Sequence, residues 1–178
     1  MRSTVWLLLG SLIARVHAQD PVPAPAAIPG ESVTAMVPPP PPPPNPLQDR
    51  YLQGLRTASR GVAQIKDGIN RVVRAQTARD TLRVRQAAKR LGGLCSAARG
   101  FITSGRGQME PKVYEPPTRQ PAQDLASQLD SLAIAVKTCQ TSAGKTPAAV
   151  TTELLGRLRH YEVAVAAFRT AIGLPNRQ

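Results

Sequence analysis

Aromatic side chains make up 3% of this 178-residue chain, acidic residues number only 11, and there are two cysteines and two histidines. Each shortage excludes something. So few aromatics argue against an aromatic-lined cofactor pocket. Covalent haem attachment needs Cys-x-x-Cys-His, which is absent, and a di-metal carboxylate site needs Glu-x-x-His pairs on facing helices, also absent. No Gly-x-Ser-x-Gly turn occurs, and Gly144-Lys145-Thr146 lacks the earlier glycine and the strand of a phosphate loop. The longest apolar run has ten residues, half the ~20 a membrane-spanning helix needs. No alternating strand pattern and no long internal repeat is present.

What is there divides into three parts. Arg2 and the apolar run Val5 to Ala14, followed by Val16-His17-Ala18, form the pattern of a secretory signal peptide over residues 1–18, with cleavage expected after Ala18. The chain is therefore expected to be exported, to the periplasm or beyond. No cysteine follows the apolar run, so a lipoprotein-type anchor is not available. Residues 19–47 hold 12 of the 18 prolines, seven of them consecutive from Pro38 to Pro44. Such a segment favours a stiff polyproline II spacer over a packed element. A docking peptide is the other reading, although no charge at fixed offsets gives it direction. The remainder, 48–175, is the expected domain, within the ~100 to 200 residues that one domain takes.

From Tyr51 the apolar positions alternate by four and three: Tyr51, Leu55, Ala58, Val62, Ile65, Ile69, Val72. This is the seam of a long helix in coiled-coil style. Val84, Ala88, Leu91, Cys95, Ala98 and Ile102 make a second seam, with Thr77 and Asp80 resembling a capping box at its start. Leu125, Leu129, Leu132, Val136 and Cys139 make a third. The fourth, Leu154, Leu158, Tyr161, Val165, Phe168 and Ile172, lies between a Thr146-Pro147 start and a Gly173, Pro175 stop. Helices are thus predicted over about 48–75, 77–104, 121–141 and 147–172. Each must bury its stripe against the others, so the fold class is all-α, a four-helix bundle with a long proline-rich connection between helices 2 and 3. Gly54, Gly61, Gly68, Gly92 and Gly93 each cost roughly 1 kcal/mol against alanine inside a helix, so the first hairpin is expected to be the looser half.

An exported chain with both cysteines on core seams implies one disulfide, Cys95 to Cys139. Both cysteines fall 18 residues after their predicted helix starts, and such equal heights favour parallel helices 2 and 3, with segment 105–120 running back along the bundle. The alternative is an up-down-up-down bundle with helix 3 slid by roughly 13 Å.

Catalytic and cofactor chemistry finds no footing. His160 adjoins the seam residue Tyr161 and is expected on a flank. Glu153 and Glu162, nine residues apart, point to opposite faces, and Asp124 and Asp130, six apart, diverge. A non-enzymatic protein without cofactor or metal is the expectation. Charge is the uneven feature: residues 48–108 carry 13 Lys and Arg against Asp49, Asp67 and Asp80, whereas 109–178 carry eight against six acids. Arg71, Arg74, Arg79 and Arg83 meet at the turn of the first hairpin, and Arg85, Lys89 and Arg90 continue along helix 2. These seven are the candidate site for a polyanion, namely an anionic envelope polymer or an acidic protein partner. Sequence-specific nucleic-acid reading is not expected, because no aromatic interleaves the basic positions. The plainer readings are a solvated basic face, a haem-like carrier with its ligand inside the bundle, or a structural and assembly role.

Overall fold

The computed structural model describes residues 45–175, so the signal-peptide and most of the spacer expectations lie outside the described residues. Four helices run in order: α1 Pro46–Thr77, α2 Thr81–Arg106, α3 Pro116–Ser142 and α4 Pro147–Ala171. They pack against one another as an all-α four-helix bundle. Among the described residues no helix is long and apolar enough to cross a membrane.

The helix ends follow local chemistry. Asn45 caps α1, its side-chain oxygen accepting from the Leu47 amide at 3.0 Å, and Pro46 takes the first helical position, where no N–H is needed. The cap of α2 is Asp80, which accepts from the Arg83 amide at 2.9 Å. Thr77 is instead the last residue of α1, its hydroxyl donating back to the Val73 carbonyl, so the expected capping box does not form. Between them the chain turns on Arg79, at φ +53°. The Arg79 amide donates to the Gln76 carbonyl and the Asp80 amide to that of Ala75, the pair of bonds that closes a Schellman motif. Gly173, at φ +73°, ends α4 by the same pair, with its own amide to Thr170 and the Leu174 amide to Arg169.

The helix 2 to helix 3 region departs from the expectation. Helix α2 runs on to Arg106 and α3 starts at Pro116 rather than 121, leaving nine residues, 107–115, with one short 3-10 turn at Pro111–Val113. Two prolines in a row do not exclude a helix when they fill its first turn, where the amides have no intrahelical acceptor. This earlier start removes the equal-height argument for parallel helices. Helices α2 and α3 are antiparallel: Gly92 lies beside the Cys139 and Gln140 carbonyls, whereas Arg106 reaches Ala126 and Asp130. The bundle is up-down-up-down. Arg106 meets α3 ten to fourteen residues past Pro116, about 15–21 Å of rise, so the first turns of α3 extend beyond the end of α2.

That projecting end is closed by the connection itself. Met109 and Tyr114 are buried there, and the Tyr114 ring packs edge-on against Tyr51 and Phe168, with centroids 5.1 and 5.4 Å away. The Tyr51 hydroxyl, fully enclosed, donates to the Ala122 carbonyl at 2.7 Å. Arg106 donates to the Ala126 and Met109 carbonyls and pairs with Asp130 at 3.0 Å, which pins the connection to α3.

The four seams form one core. Every seam position named from the sequence is buried, apart from Leu55, Val84, Val165 and Ile172 at its edges, which are half-buried. Cys95 and Cys139 are fully buried and bonded to each other, tying α2 to α3. Closing a loop of this separation, 44 residues, stabilises the fold by about 4 kcal/mol in the chain-entropy account.

Three of the five glycines expected to loosen the first hairpin are packing positions within it, whereas Gly92 faces α3 and a Cβ at Gly93 would meet nothing within 4 Å. Gly54, Gly61 and Gly68 lie at heptad spacing on α1 and face Gly105, Ala98 and Leu91, also at heptad spacing, on α2. A Cβ at Gly54 would stand 2.5 Å from the Gly105 carbonyl oxygen, and one at Gly61 would stand 2.7 Å from that of Ala98. The backbones of α1 and α2 touch where a side chain would otherwise hold them apart. The propensity cost is offset at Gly54 and Gly61 by backbone contact, and at Gly68, nearer the turn, by the Leu91 and Leu94 side chains that pack on it.

Candidate functional site

The packing of α1 against α2 positions the basic residues. Towards the turn, beyond Gly68 and the Leu91 and Leu94 side chains that pack on it, residues of both helices line a shallow cleft. Arg71 and Arg74 come from α1, Arg83 and Arg90 from α2, around a cleft of about 390 Å³. Its floor is alanine, from Ala75, Ala78 and Ala87, and Gln86 supplies an amide at the rim. No carboxylate lines it.

The seven residues expected to act together therefore divide. Four of them line the cleft. Arg79 sits in the turn, and Arg85 and Lys89 are exposed on α2 outside the lining. Within the cleft there is a further division. Arg71 pairs with Asp67 at 2.8 Å one turn before it on α1, and Arg83 pairs with Asp80 at 3.1 Å, the residue that caps α2. Arg74 and Arg90 have no carboxylate partner among the described residues. The surface pairs are weak, with Arg71 and Arg83 side chains 54% and 76% exposed, so both arginines can turn toward an incoming anion at little cost.

Sequence reasoning located these residues but could not sort them. It missed Gln86 and the alanine floor, whose signal is the face that α2 presents when Ala98 and Gly105 pack on α1.

Two other concavities carry different chemistry. A cleft of about 640 Å³ at the α2–α3 junction mixes Arg106, Lys112 and Arg119 with Glu110 and Asp130, and its Arg106 is committed to holding the connection in place. A groove of about 590 Å³ between α1 and α4 is mostly apolar, with Leu52, Leu55, Val165 and Ile172 on its walls and Arg56 and Arg169 at its edges.

Among the described residues no three His, Cys, Asp or Glu side chains come together as metal ligands would. His160 is exposed on α4, while its neighbour Tyr161 turns inward and shares a hydrogen bond of 3.1 Å with Ser59. Burial raises the phenol pKa of all three tyrosines. Tyr114, with the negative charge of Asp49 adding to the effect of burial, is pushed up to about 12. These phenols are structural, held neutral inside the bundle. Comparison of the chain with protein-family models, with curated proteins and with solved structures finds no match.

Proposed function

We propose that this is an exported, non-enzymatic helical-bundle protein that acts by surface binding, with the basic first hairpin as its contact face for an anionic envelope component or an acidic partner. The observation that carries the reading is the convergence of Arg71, Arg74, Arg83 and Arg90 on one concavity without a carboxylate in its lining. Asp67 and Asp80 hold Arg71 and Arg83 from outside the lining, so every charged side chain that lines the concavity is positive. Export is supported by the leader-like residues 1–18 and by the Cys95–Cys139 bond, since disulfides persist chiefly in oxidising compartments.

A ligand carried inside the bundle gains no support from the side chains. The described core is filled by aliphatic side chains from four seams together with Tyr51, Met109, Tyr114, Tyr161, Phe168 and the disulfide, and His160 is exposed.

Retention on an anionic polymer matrix tests the proposal. It is expected to fall steeply between low and moderate salt, and to fall further when Arg71, Arg74, Arg79 and Arg83 are replaced by alanine. Retention that is indifferent to those replacements removes the hairpin from the function.

A further inference from the structure

The cleft has features that a diffuse basic surface does not need. Its volume, about 390 Å³, lies near the lower end of the ~300–1,000 Å³ typical of ligand clefts, too small to enclose a polymer but sufficient for one compact group. All of its charged residues are arginines, although Lys89 is next to Arg90 in the sequence. The two arginines without carboxylate partners, Arg74 and Arg90, come from different helices and line the same cleft.

This arrangement discriminates between anions. One guanidinium fork matches a carboxylate, because two parallel N–H groups meet its two oxygens in one plane. A phosphoryl group has three or four acceptor oxygens in a tetrahedron, so two forks from different helices can each engage a different pair. Resting on the reading that the basic hairpin is a contact face, we propose that the cleft is a discrete site for a compact phosphoryl-bearing group. In it Arg74 and Arg90 are the principal forks, Arg71 and Arg83 swing in from Asp67 and Asp80, and Gln86 donates from the rim. The alanine floor contributes no acceptor that would repel the ligand. The phosphoryl group can belong to a free phosphorylated molecule or to a lipid headgroup.

The test compares two pairs of substitutions that remove the same charge from the same hairpin in the full-length protein. Titration calorimetry with pyrophosphate at constant ionic strength is expected to show affinity reduced by about tenfold or more in Arg74→Ala/Arg90→Ala, and by less than about twofold in Arg85→Ala/Lys89→Ala. Arg74→Lys/Arg90→Lys keeps the charge and loses the forks, and is expected to weaken pyrophosphate while leaving retention on the anionic polymer unchanged. All of these residues are exposed, and an unchanged helical circular-dichroism signal verifies folding. Citrate, an anion of carboxylates only, is expected to bind more weakly than pyrophosphate. Flotation with phosphatidylcholine vesicles doped with phosphatidic acid separates the sources. Vesicle binding lost in Arg74→Ala/Arg90→Ala supports the site with a lipid headgroup as its ligand, and pyrophosphate binding without vesicle binding supports it with a free phosphorylated ligand. Equal effects of the two alanine pairs, or citrate matching pyrophosphate, overturn the discrete site. In that case, polymer retention that still depends on salt and on the hairpin arginines leaves the broader proposal standing. Absence of binding to pyrophosphate, vesicles and polymer alike overturns both.

Discussion

Replacing Gly105 by alanine separates two opposed effects that a sequence cannot weigh. Helix propensity alone favours the change by about 1 kcal/mol, since α2 gains a better helix former. Packing opposes it. The new methyl carbon would lie 2.6 Å from the Ala58 amide nitrogen and 2.9 Å from the Ala58 Cβ, against the ~3.5–4.0 Å at which non-bonded carbon atoms rest. One of these neighbours is backbone and the other a Cβ fixed to it, so neither can rotate away. Helix α1 must move out by roughly 1 Å, which loosens the contacts of the neighbouring seam residues as well. Overpacking of this kind costs about 1–3 kcal/mol, and a rigid neighbour places it at the upper end. The net expectation is a loss of about 2 kcal/mol, or roughly 6–10 °C in Tm for a domain of this size. Gly93→Ala and Gly100→Ala serve as controls in the same helix, because a Cβ at either position meets nothing within 4 Å. Each is expected to gain about 1 kcal/mol. Thermal unfolding followed by circular dichroism reads all three variants. If Gly105→Ala rose in Tm alongside the controls, the close contact of α2 with α1 at Gly54 and Ala58 would be wrong.

The turn at the hairpin tip offers a second check. Arg79 adopts a left-handed conformation that costs a side-chain-bearing residue about 1 kcal/mol, so Arg79→Gly is expected to stabilise the domain by about that amount and Arg79→Val to destabilise it, as read from urea midpoints. Equal midpoints for all three would show that the turn is not closed in this way. The tyrosines make a third. Their phenols are neutral in the folded protein above the ordinary pKa of 10.0, whereas in the unfolded chain they ionise there. The folded state then binds more protons than the unfolded state, so their contribution to stability is complete below pH 10, and that of Tyr114 is lost as pH rises through about 12. Ultraviolet absorbance is expected to show no phenol ionisation step near pH 10 while the helices are intact. A normal ionisation step near pH 10 with helicity intact would contradict the burial of Tyr51, Tyr114 and Tyr161.

Much of the fold was legible in the linear order. The four-and-three spacing of Tyr51 to Val72, and of the three later seams, is set by the 3.6-residue turn of the helix, so it specifies which face is buried before any neighbour is known. Pro147 and Gly173 mark their boundaries because a missing amide and a left-handed φ are properties of single residues. The pairing of the cysteines followed from their places on two buried stripes. The basic residues of the candidate site were legible too, as a list.

What the sequence left undecided were quantities that exist only between elements. The direction of α3 relative to α2 depended on where a proline-rich segment becomes helical, and Pro116 and Pro117 carry no information on that until a first turn with no amides to satisfy is built around them. Gly54, Gly61 and Gly105 weaken a solitary helix, and only the arrival of another backbone at contact distance turns that deficit into packing. Which arginines share a cleft is likewise a property of two helices together. Periodicity assigns each side chain to a face of its own helix, but the distance and rotation between two helices belong to neither sequence segment alone. They are fixed when both surfaces are pressed together, and that placed Arg74 and Arg90 on one cleft and left Arg85 and Lys89 outside its lining.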